Sequence, residues 1–383
     1  MKTPAWIGLA LLGGCGGEPL QAPPAAYTEI FARPDRISLA GPGAGRAIRL
    51  LGATAAGRLE PIDPEEVSWS SDALEVAAPT LRGVLAHHVG AATLRAAIGA
   101  AAIAIAIQVE EGPGPFAAEV LDHRPGLGGG FGAARLPDIV LGAPDGGGRF
   151  QGSTDVVSLG AGGAITLGFG DWIAFDGPGP DLIVFENAFT ISGGAATFAE
   201  PASVEVALGD GAWRAYPCGV DAWPYLGCAG VGVVLAGRAH PELDPTDPDL
   251  AGGDAFDLAG VLPAIDRVRI TDRSEEPNGA DNSGFDLDAI ALVHALPRDA
   301  TALRVDRDRW SLRAGEDRIL PRVDVLRAGG GSVLGIEAAI ALDPGGGAVT
   351  LEGDVIRATR TGTASLRFTA GSLQTVVFIE VSP

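Results

Sequence analysis

Seven acidic side chains in the middle of the chain have the chemistry and the positions to bind a cation. They are Asp176, Asp181, Glu186, Asp254, Asp272, Asp286 and Asp288. Asp286 and Asp288 lie in the stretch GFDLDAIALV, where strand alternation would place both carboxylates on one face. Phe285 and Leu287 would share the other face. Two like charges at the start of an apolar strand therefore indicate a cation or another stabilising partner.

The other acids lie where strands end or in the loops beside them. Glu186 ends the apolar stripe of DLIVFEN, and Asp272 ends that of VRITD. An unpaired charge at the end of a buried stripe costs several kcal/mol in desolvation, so each carboxylate needs a partner. The loops DGPGPD, GGDAFDL and DRSEEPNGADNSG supply further oxygen ligands. Because this set is rich in oxygen, lacks sulfur and has almost no histidine, the predicted cofactor is Ca²⁺.

Two alternative roles for the acids stay open. The carboxylates could cap turns or pair with Arg267, Arg269 or Arg273. Glu186 with Asp272 or Asp286 could instead act as a glycosidase-like pair, which would require an open groove between two carboxylates. The spacing of the acids fits no EF-hand loop, and the sequence contains neither G-x-S-x-G nor H-E-x-x-H. We therefore predict a non-catalytic protein, with hydrolysis of extracellular polysaccharide as the alternative activity.

The composition predicts an all-β fold. The 383 residues include 57 Gly and 28 Pro, and no convincing amphipathic helix is present. Short strand-like runs alternate with Gly-, Asp- and Pro-rich turns instead. The net charge of -21 argues against nucleic acid or an anionic membrane surface as a partner.

An internal repeat brackets the chain. The segment ATLRAAIGAAAIAIAIQV at 92–109 aligns without a gap with ASLRFTAGSLQTVVFIEV at 364–381. Upstream, DRISL at 35–39 corresponds to DRWSL at 308–312. The pattern predicts two small antiparallel sandwiches, at 27–111 and 300–383, on either side of a different module.

The first of these units carries VSWSSDALEVA from residue 67, followed by Gly83 and Gly90 before its last strands. This unit resembles the group 2 bacterial Ig-like (BIG2) domain, in which a tryptophan packs between the sheets. Trp69 would take that place. The second unit has no matching tryptophan, so its likeness depends on its closing strands. The resemblance implies that both units are spacers or adhesion stalks.

The central module spans 116–296 and is predicted to be a larger sandwich or jelly roll. Its stretch SVEVALGDGAWRAYP resembles an element of galactose-binding-like jelly rolls. The motifs VLGAPDGGGRFQGSTDVVSLG, DLIVFENAF, GGDAFDLA and GFDLDAIALV occur in the order found in a family of bacterial cell-surface proteins, which the module resembles. That family has no assigned biochemistry, so the resemblance implies location and architecture rather than an activity.

The first seventeen residues, MKTPAWIGLALLGGCGG, have the charged start and short apolar run of a secretion signal. The run resembles the lipobox of bacterial lipoproteins, which implies a signal at 1–15, lipidation of Cys15 and a flexible tether at 16–26. Ordinary signal cleavage or an uncleaved anchor is the alternative. The resemblance implies a location at the outer membrane or cell surface of a Gram-negative bacterium.

The two remaining cysteines, Cys218 and Cys228, are predicted to form a disulfide once Cys15 is assigned to lipid. Four aromatic side chains lie in and just before this loop: Trp213, Tyr216, Trp223 and Tyr225. They could form a platform for a sugar ring or fill a core. Together these features predict a surface lipoprotein with a calcium-stabilised central sandwich that binds a glycan or a protein; a purely structural envelope protein is the other non-catalytic alternative.

Overall fold

A computed structural model describes residues 27–194, 196–274, 284–343 and 347–383. Cys15, the tether at 16–26 and the loop residues Asn278, Asp281 and Asn282 lie outside these ranges. Within them the regular structure is all β apart from four short 3₁₀ helices, which confirms the predicted fold class. The 3₁₀ helices are Pro64–Glu66, Ala133–Arg135, Asp138–Val140 and Ser192–Gly194. Among the described residues there is no helix of the length and apolarity needed to cross a bilayer.

The N-terminal segment contains ten strands in three sheets. They are β1 Glu29–Arg33, β2 Arg36–Leu39, β3 Gly45–Ala47, β4 Arg49–Ala53, β5 Leu59–Pro61, β6 Ser68–Ser71, β7 Ala77–Pro79, β8 Gly83–Ala86, β9 Gly90–Ile98 and β10 Ala101–Val109. The sheet orders are β1-β4-β5, β2-β10-β9-β6 and β3-β8-β7. Strand β10 alternates as its sequence predicts, because Ile105, Ile107 and Val109 are buried while the residues between them are exposed.

The central segment contains fifteen strands. They are β11 Glu119–Arg124, β12 Val157–Ser158, β13 Ala164–Gly168, β14 Trp172–Phe175, β15 Leu182–Phe185, β16 Phe189–Ile191, β17 Ala196–Phe198, β18 Ala202–Ala207, β19 Arg214–Ala215, β20 Asp254–Phe256, β21 Ala264–Ile265, β22 Arg267–Asp272, β23 Asp286–Leu287, β24 Ala289–Leu292 and β25 Ala295–Pro297. The largest sheet has the order β11-β13-β22-β18-β19, and the pairings among these strands are antiparallel. Val204 and Ile270 of this sheet share one core with Val184 and Ile290 of the sheet β20-β15-β24. The central segment is therefore an antiparallel β-sandwich.

The C-terminal segment again contains ten strands. They are β26 Ala300–Val305, β27 Arg309–Arg313, β28 Asp317–Ile319, β29 Val323–Arg327, β30 Ser332–Val333, β31 Ala339–Leu342, β32 Val349–Glu352, β33 Val355–Ala358, β34 Gly362–Ala370 and β35 Leu373–Ser382. The sheet orders are β26-β29-β30, β27-β35-β34-β31 and β28-β33-β32.

The sequence repeat corresponds to a shared topology present twice. In each segment a four-stranded sheet ends in a long closing hairpin, β9–β10 in the first and β34–β35 in the second. An early strand lies parallel to the last one in both, β2 to β10 and β27 to β35, as in Ig-like sandwiches. The register is also the same, since Ile37 faces Ile107 and Trp310 faces Ile379. Both segments are Ig-like β-sandwiches.

The two Ig-like segments contact each other, which the sequence did not predict. Leu51 and Leu59 of the first segment form a small buried cluster with Val355 of the second. Beside this cluster, Arg33 and Arg49 form ion pairs with Asp354. Two segments that lie at opposite ends of the chain therefore share an apolar and charged interface.

The disulfide Cys218–Cys228 is present, with 4.6 Å between the Cα atoms, as predicted. Replacing both cysteines with serine is expected to lower the free energy of unfolding by about 2–3 kcal/mol, because the unfolded chain gains the freedom of a ten-residue loop. Urea unfolding of the double variant measures this loss. Reduced wild-type protein serves as the control and should unfold at the same urea concentration; equal stability of the variant and the oxidised wild type would contradict the prediction.

Candidate functional site

The structure divides the seven predicted cation ligands into separate places. Glu186, Asp272 and Asp286 meet near the start of β23, Asp176 and Asp181 lie together elsewhere, and Asp254 and Asp288 are each bound by backbone amides. The first group also includes Glu200, which was not predicted. We call Glu186, Glu200, Asp272 and Asp286 the Glu186 cluster.

Three consecutive backbone amides gather the Glu186 cluster. Gly284 N–H donates to Glu200 Oε1 at 3.0 Å, and Phe285 N–H donates to Asp272 Oδ2 at 2.9 Å. Asp286 N–H completes the series by donating to Glu186 Oε1 at 3.4 Å. Neighbouring amides are one residue apart, about 3.8 Å between Cα atoms, so the carboxylates that they bind lie in one region. Among the described residues, the acids whose oxygen atoms all lie within 4.8 Å of one another are instead Asp176, Asp181 and Asp257.

Glycine is required at the first of these three positions. Gly284 has φ +87°, a conformation that residues with a Cβ rarely adopt. A Cβ at this position would also overlap the carboxylate of Asp272. The glycine of the motif GFDLD therefore allows the chain to approach the acids closely.

The carboxylate of Asp286 is held by side chains of neighbouring elements. Ser158 Oγ, on the paired strand β12, donates to Asp286 Oδ1, and Asn187 Nδ2 donates to Asp286 Oδ2 at 3.4 Å. Glu186 immediately follows β15 and is only 1% exposed. Its Oε2 atom is shut off from solvent and has no hydrogen-bond partner in the described part of the chain.

The ionised form of the Glu186 cluster is electrostatically unfavourable. Burial raises the pKa of Glu186 well above its usual range, and the charges of Asp286 and Glu200 raise it further. Burial, reinforced by Asp286, raises the pKa of Glu200 to about 8. Burial also raises the pKa of Asp286, although Ser158 and Asn187 oppose the shift. Near neutral pH such a cluster must either keep protons or bind a cation.

A second acidic group consists of Asp176, Asp181 and Asp257, whose oxygen atoms lie within 4.8 Å of one another. Burial and the neighbouring charges of Asp181 and Asp257 raise the pKa of Asp176. The fully buried Asp181, however, already accepts N–H groups of Gly177 at 2.8 Å and Leu258 at 2.7 Å. Its Oδ1 also lies 2.9 Å from Nδ1 of His294.

Asp254 and Asp288 are bound by backbone amides in two separate places. Asp254 accepts three successive amides, from Gly230 to Gly232, at 2.7–3.0 Å. Both oxygens of Asp288 accept the N–H of Asp145, at 3.1 and 3.0 Å, and burial raises the pKa of Asp288 to about 8. These contacts agree with turn capping, one of the alternatives that the sequence left open.

Two of the three arginines considered as partners, Arg267 and Arg269, pair with other acids. Arg269 lies 3.4 Å from Glu205, and Arg267 lies 3.6 Å from Asp266. Neither forms an ion pair with a predicted ligand among the described residues. Pairing with Arg267 or Arg269 therefore does not compensate the charge of the Glu186 cluster.

The four predicted platform aromatics divide into two sets. The guanidinium carbon of Arg269 lies over the ring of Trp213, 3.9 Å from the ring centre. Tyr216 packs against Phe256 and donates a hydrogen bond from its hydroxyl to a backbone carbonyl. Trp223 and Tyr225 meet edge to face at 5.8 Å inside the disulfide loop. Trp223 is 54% exposed, so this second set offers a ring to solvent.

The paired-carboxylate hydrolase would need acids on an open groove. Glu186, Asp272 and Asp286 are instead all buried.

The chain matches no protein-family profile and no curated protein sequence. Among solved structures it is similar to surface layer protein SbsC, domains 1–6, with 10% identity and a TM-score of 0.18 over 94% of this chain and 41% of that one. It is also similar to the insect immune protein hemolin, with 11% identity and a TM-score of 0.17 over 93% and 77% of the two chains. The I9–I11 tandem of titin gives 9% identity and a TM-score of 0.16 over 90% and 96%. At these TM-scores the likenesses carry no argument about function.

Proposed function

We propose that the chain is an exported, non-catalytic surface protein whose central sandwich is stabilised by Ca²⁺ at the Glu186 cluster. The observation that carries the calcium proposal is the buried Glu186 Oε2 atom, which has no partner among the described residues. A carboxylate oxygen in this state costs free energy unless it is protonated or bound by a cation.

The ligand chemistry of the cluster supports calcium over other metals. The four carboxylates are joined by the hydroxyl of Ser158, which contacts Asp286, whereas Asn187 turns its Nδ2 atom toward Asp286 and its amide oxygen accepts the N–H of Ser153. Ca²⁺ takes six to eight oxygen ligands in flexible geometry, whereas Zn²⁺ prefers nitrogen and sulfur. A divalent cation would also neutralise the mutual repulsion of Glu186, Glu200 and Asp286.

The location is supported by the sequence and the disulfide. The lipobox-like start with Cys15 indicates export and a lipid anchor in the membrane, and disulfides persist mainly in oxidising compartments. On this proposal the Ig-like segments present the central sandwich at the outer membrane or cell surface. The exposed ring of Trp223 is the part of the predicted aromatic platform best suited to contact a glycan or a protein partner.

Replacing Glu186 with glutamine is expected to remove the calcium dependence of stability. We expect wild-type protein to melt several degrees higher in about 2 mM Ca²⁺ than in EGTA, since a ligand that binds only the folded state stabilises it. E186Q should melt at the same temperature in both solutions. Differential scanning calorimetry at neutral pH measures the four midpoints.

The matched control is Asp257→Asn, which changes the other acidic group. D257N should keep the full difference between calcium and EGTA, because Asp257 belongs to the second group. A calcium effect that survives in E186Q but disappears in D257N would show that the ion binds at the second acidic group. A wild-type midpoint that does not respond to EGTA would rule out stabilisation by calcium.

A further inference from the structure

A cavity of about 520 Å³ lies where the three segments meet. Its volume is in the range of small-molecule sites. The polar side chains that matter for its chemistry are Arg46, Trp69, Asp244, His294 and Glu337. The first two come from the N-terminal segment, the next two from the central segment and the last from the C-terminal segment.

The guanidinium of Arg46 has no hydrogen bond or ion pair with any residue that the structure describes. Its Nε atom is shut off from solvent, and desolvation lowers the pKa of Arg46. The two other arginines of the lining are paired, Arg49 with Glu337 at 2.7 Å and Arg82 with Asp249 at 2.7 Å. Because a half-buried cation needs hydrogen-bond acceptors, Arg46 is the group of this cavity that a ligand would complete.

Trp69 supplies a second donor without a partner. Its ring packs against the core of the N-terminal segment, as the Ig-like resemblance implied, and one side of it also lines the cavity. Within the described ranges no acceptor meets its Nε1 atom, which is shut off from solvent. Buried indole N–H groups usually have an acceptor, so a ligand oxygen that reached this atom would satisfy it.

The cavity also offers acceptors. Nδ1 of His294 lies 2.9 Å from Asp181 Oδ1, which leaves Nε2 as the ring nitrogen that a ligand hydroxyl could contact. A Cβ at Gly45 would overlap the carboxylate of Asp244, so the glycine lets this acid lie beside the strand that carries Arg46. Asp244 and Glu337 act on the charge of Arg46 without touching it.

The combination of donors and acceptors in the cavity favours a neutral hydroxyl-bearing ligand over an anion. An anion would gain from Arg46 but would meet the negative charge of Asp244, whereas that of Glu337 is already paired with Arg49. A hydroxyl group accepts from one neighbour and donates to another, so it can bridge Arg46 to a carboxylate or to the imidazole. Apolar walls that include Ile48, Leu50 and Ile62 suit the C–H face of a sugar ring.

We propose that the cavity between the three segments binds a neutral saccharide of one or two rings, with Arg46 and Trp69 as its hydrogen-bond donors. The site is separate from the Glu186 cluster and from the exposed Trp223. Sugar binding and calcium binding can therefore succeed or fail independently.

The test is isothermal titration calorimetry of the full chain with glucose, galactose, mannose, N-acetylglucosamine, lactose and cellobiose. Sodium glucuronate and sodium sulfate serve as anionic probes. We expect at least one neutral sugar to bind with a Kd of about 1 mM or lower. Arg46→Met should weaken that binding at least about tenfold, and Trp69→Phe, which keeps an aromatic ring but removes the N–H, should weaken it several-fold.

The matched control is Arg95→Met, which removes an exposed arginine of the same segment and should leave binding unchanged. Arg46→Met should also fold at least as well as wild type, because it removes a cation that lacks a partner in the described structure. Three results would overturn the proposal: no neutral sugar binds at about 10 mM, only the anions bind, or R46M binds as tightly as R95M.

Discussion

Asparagine in place of Asp354 is expected to lower the free energy of unfolding by about 3–5 kcal/mol, because it leaves the buried Arg33 without its acid and takes one of two acids from Arg49. Arg33 is 7% exposed and forms its ion pair with Asp354 across the interface of the Ig-like segments. Arg49 pairs with the same carboxylate and keeps only Glu337 after the substitution. Breaking a buried pair costs more than the pair contributes, since the remaining charge stays desolvated. Urea unfolding monitored by tryptophan fluorescence measures the loss.

Glu352→Gln is the control for this substitution. Glu352 lies two residues before Asp354, and its exposed side chain pairs with Arg357 at 2.6 Å. An exposed pair contributes about 0–1 kcal/mol, so E352Q should unfold almost as wild type does. Equal losses for D354N and E352Q would show that the pair with Arg33 does not stabilise the interface.

In EGTA, the free energy of unfolding is expected to fall by several kcal/mol as the pH rises from about 5 to about 8. The pKa values of Glu200 and Asp288 are raised to about 8 and that of Asp244 to about 6, in each case mainly by burial. A carboxyl group whose pKa is higher in the folded state binds more protons there than in the unfolded chain. Its stabilisation is complete below the unfolded pKa near 4 and is lost as the pH passes the folded pKa.

Calcium should reduce this pH dependence without abolishing it. Near pH 8 the ion would replace the protons of the Glu186 cluster, whereas Asp288 and Asp244 would still lose theirs. Unfolding in urea at pH 5, 6, 7 and 8, with EGTA and with Ca²⁺, gives both curves. E200Q is the control variant, because it removes one titrating group and should flatten the EGTA curve. A stability in EGTA that is constant from pH 5 to pH 8 would contradict the raised pKa values.

The sequence was sufficient for features that depend on local pattern. Alternation in β10 and β35 predicted strands with one buried face, and the match of DRISL with DRWSL predicted two copies of one topology. The disulfide was also predicted, because an even pair remained after Cys15 was set aside. The lipid anchor at Cys15, the BIG2 assignment and the calcium ion stay predictions.

Other features depend on contacts that no local pattern reports. Asp254 and Asp288 were grouped with Asp286 by their residue type, but their partners are backbone amides from distant loops. Glu200 was missed although it directly precedes Pro201 and strand β18, where it resembles Glu186 as an acid at the end of an apolar strand. The contact of Arg33 with Asp354 joins residues 321 positions apart, beyond the reach of any periodicity.

The parallel pairs β2–β10 and β27–β35 determine how each Ig-like segment would carry mechanical load. In each pair one strand lies near the beginning of the segment and the other at its end. Tension applied to the two ends therefore pulls the paired strands past each other along their length. The backbone hydrogen bonds of the pair then resist together in shear instead of opening one at a time. A chain tethered at one end and pulled at the other would meet this resistance twice.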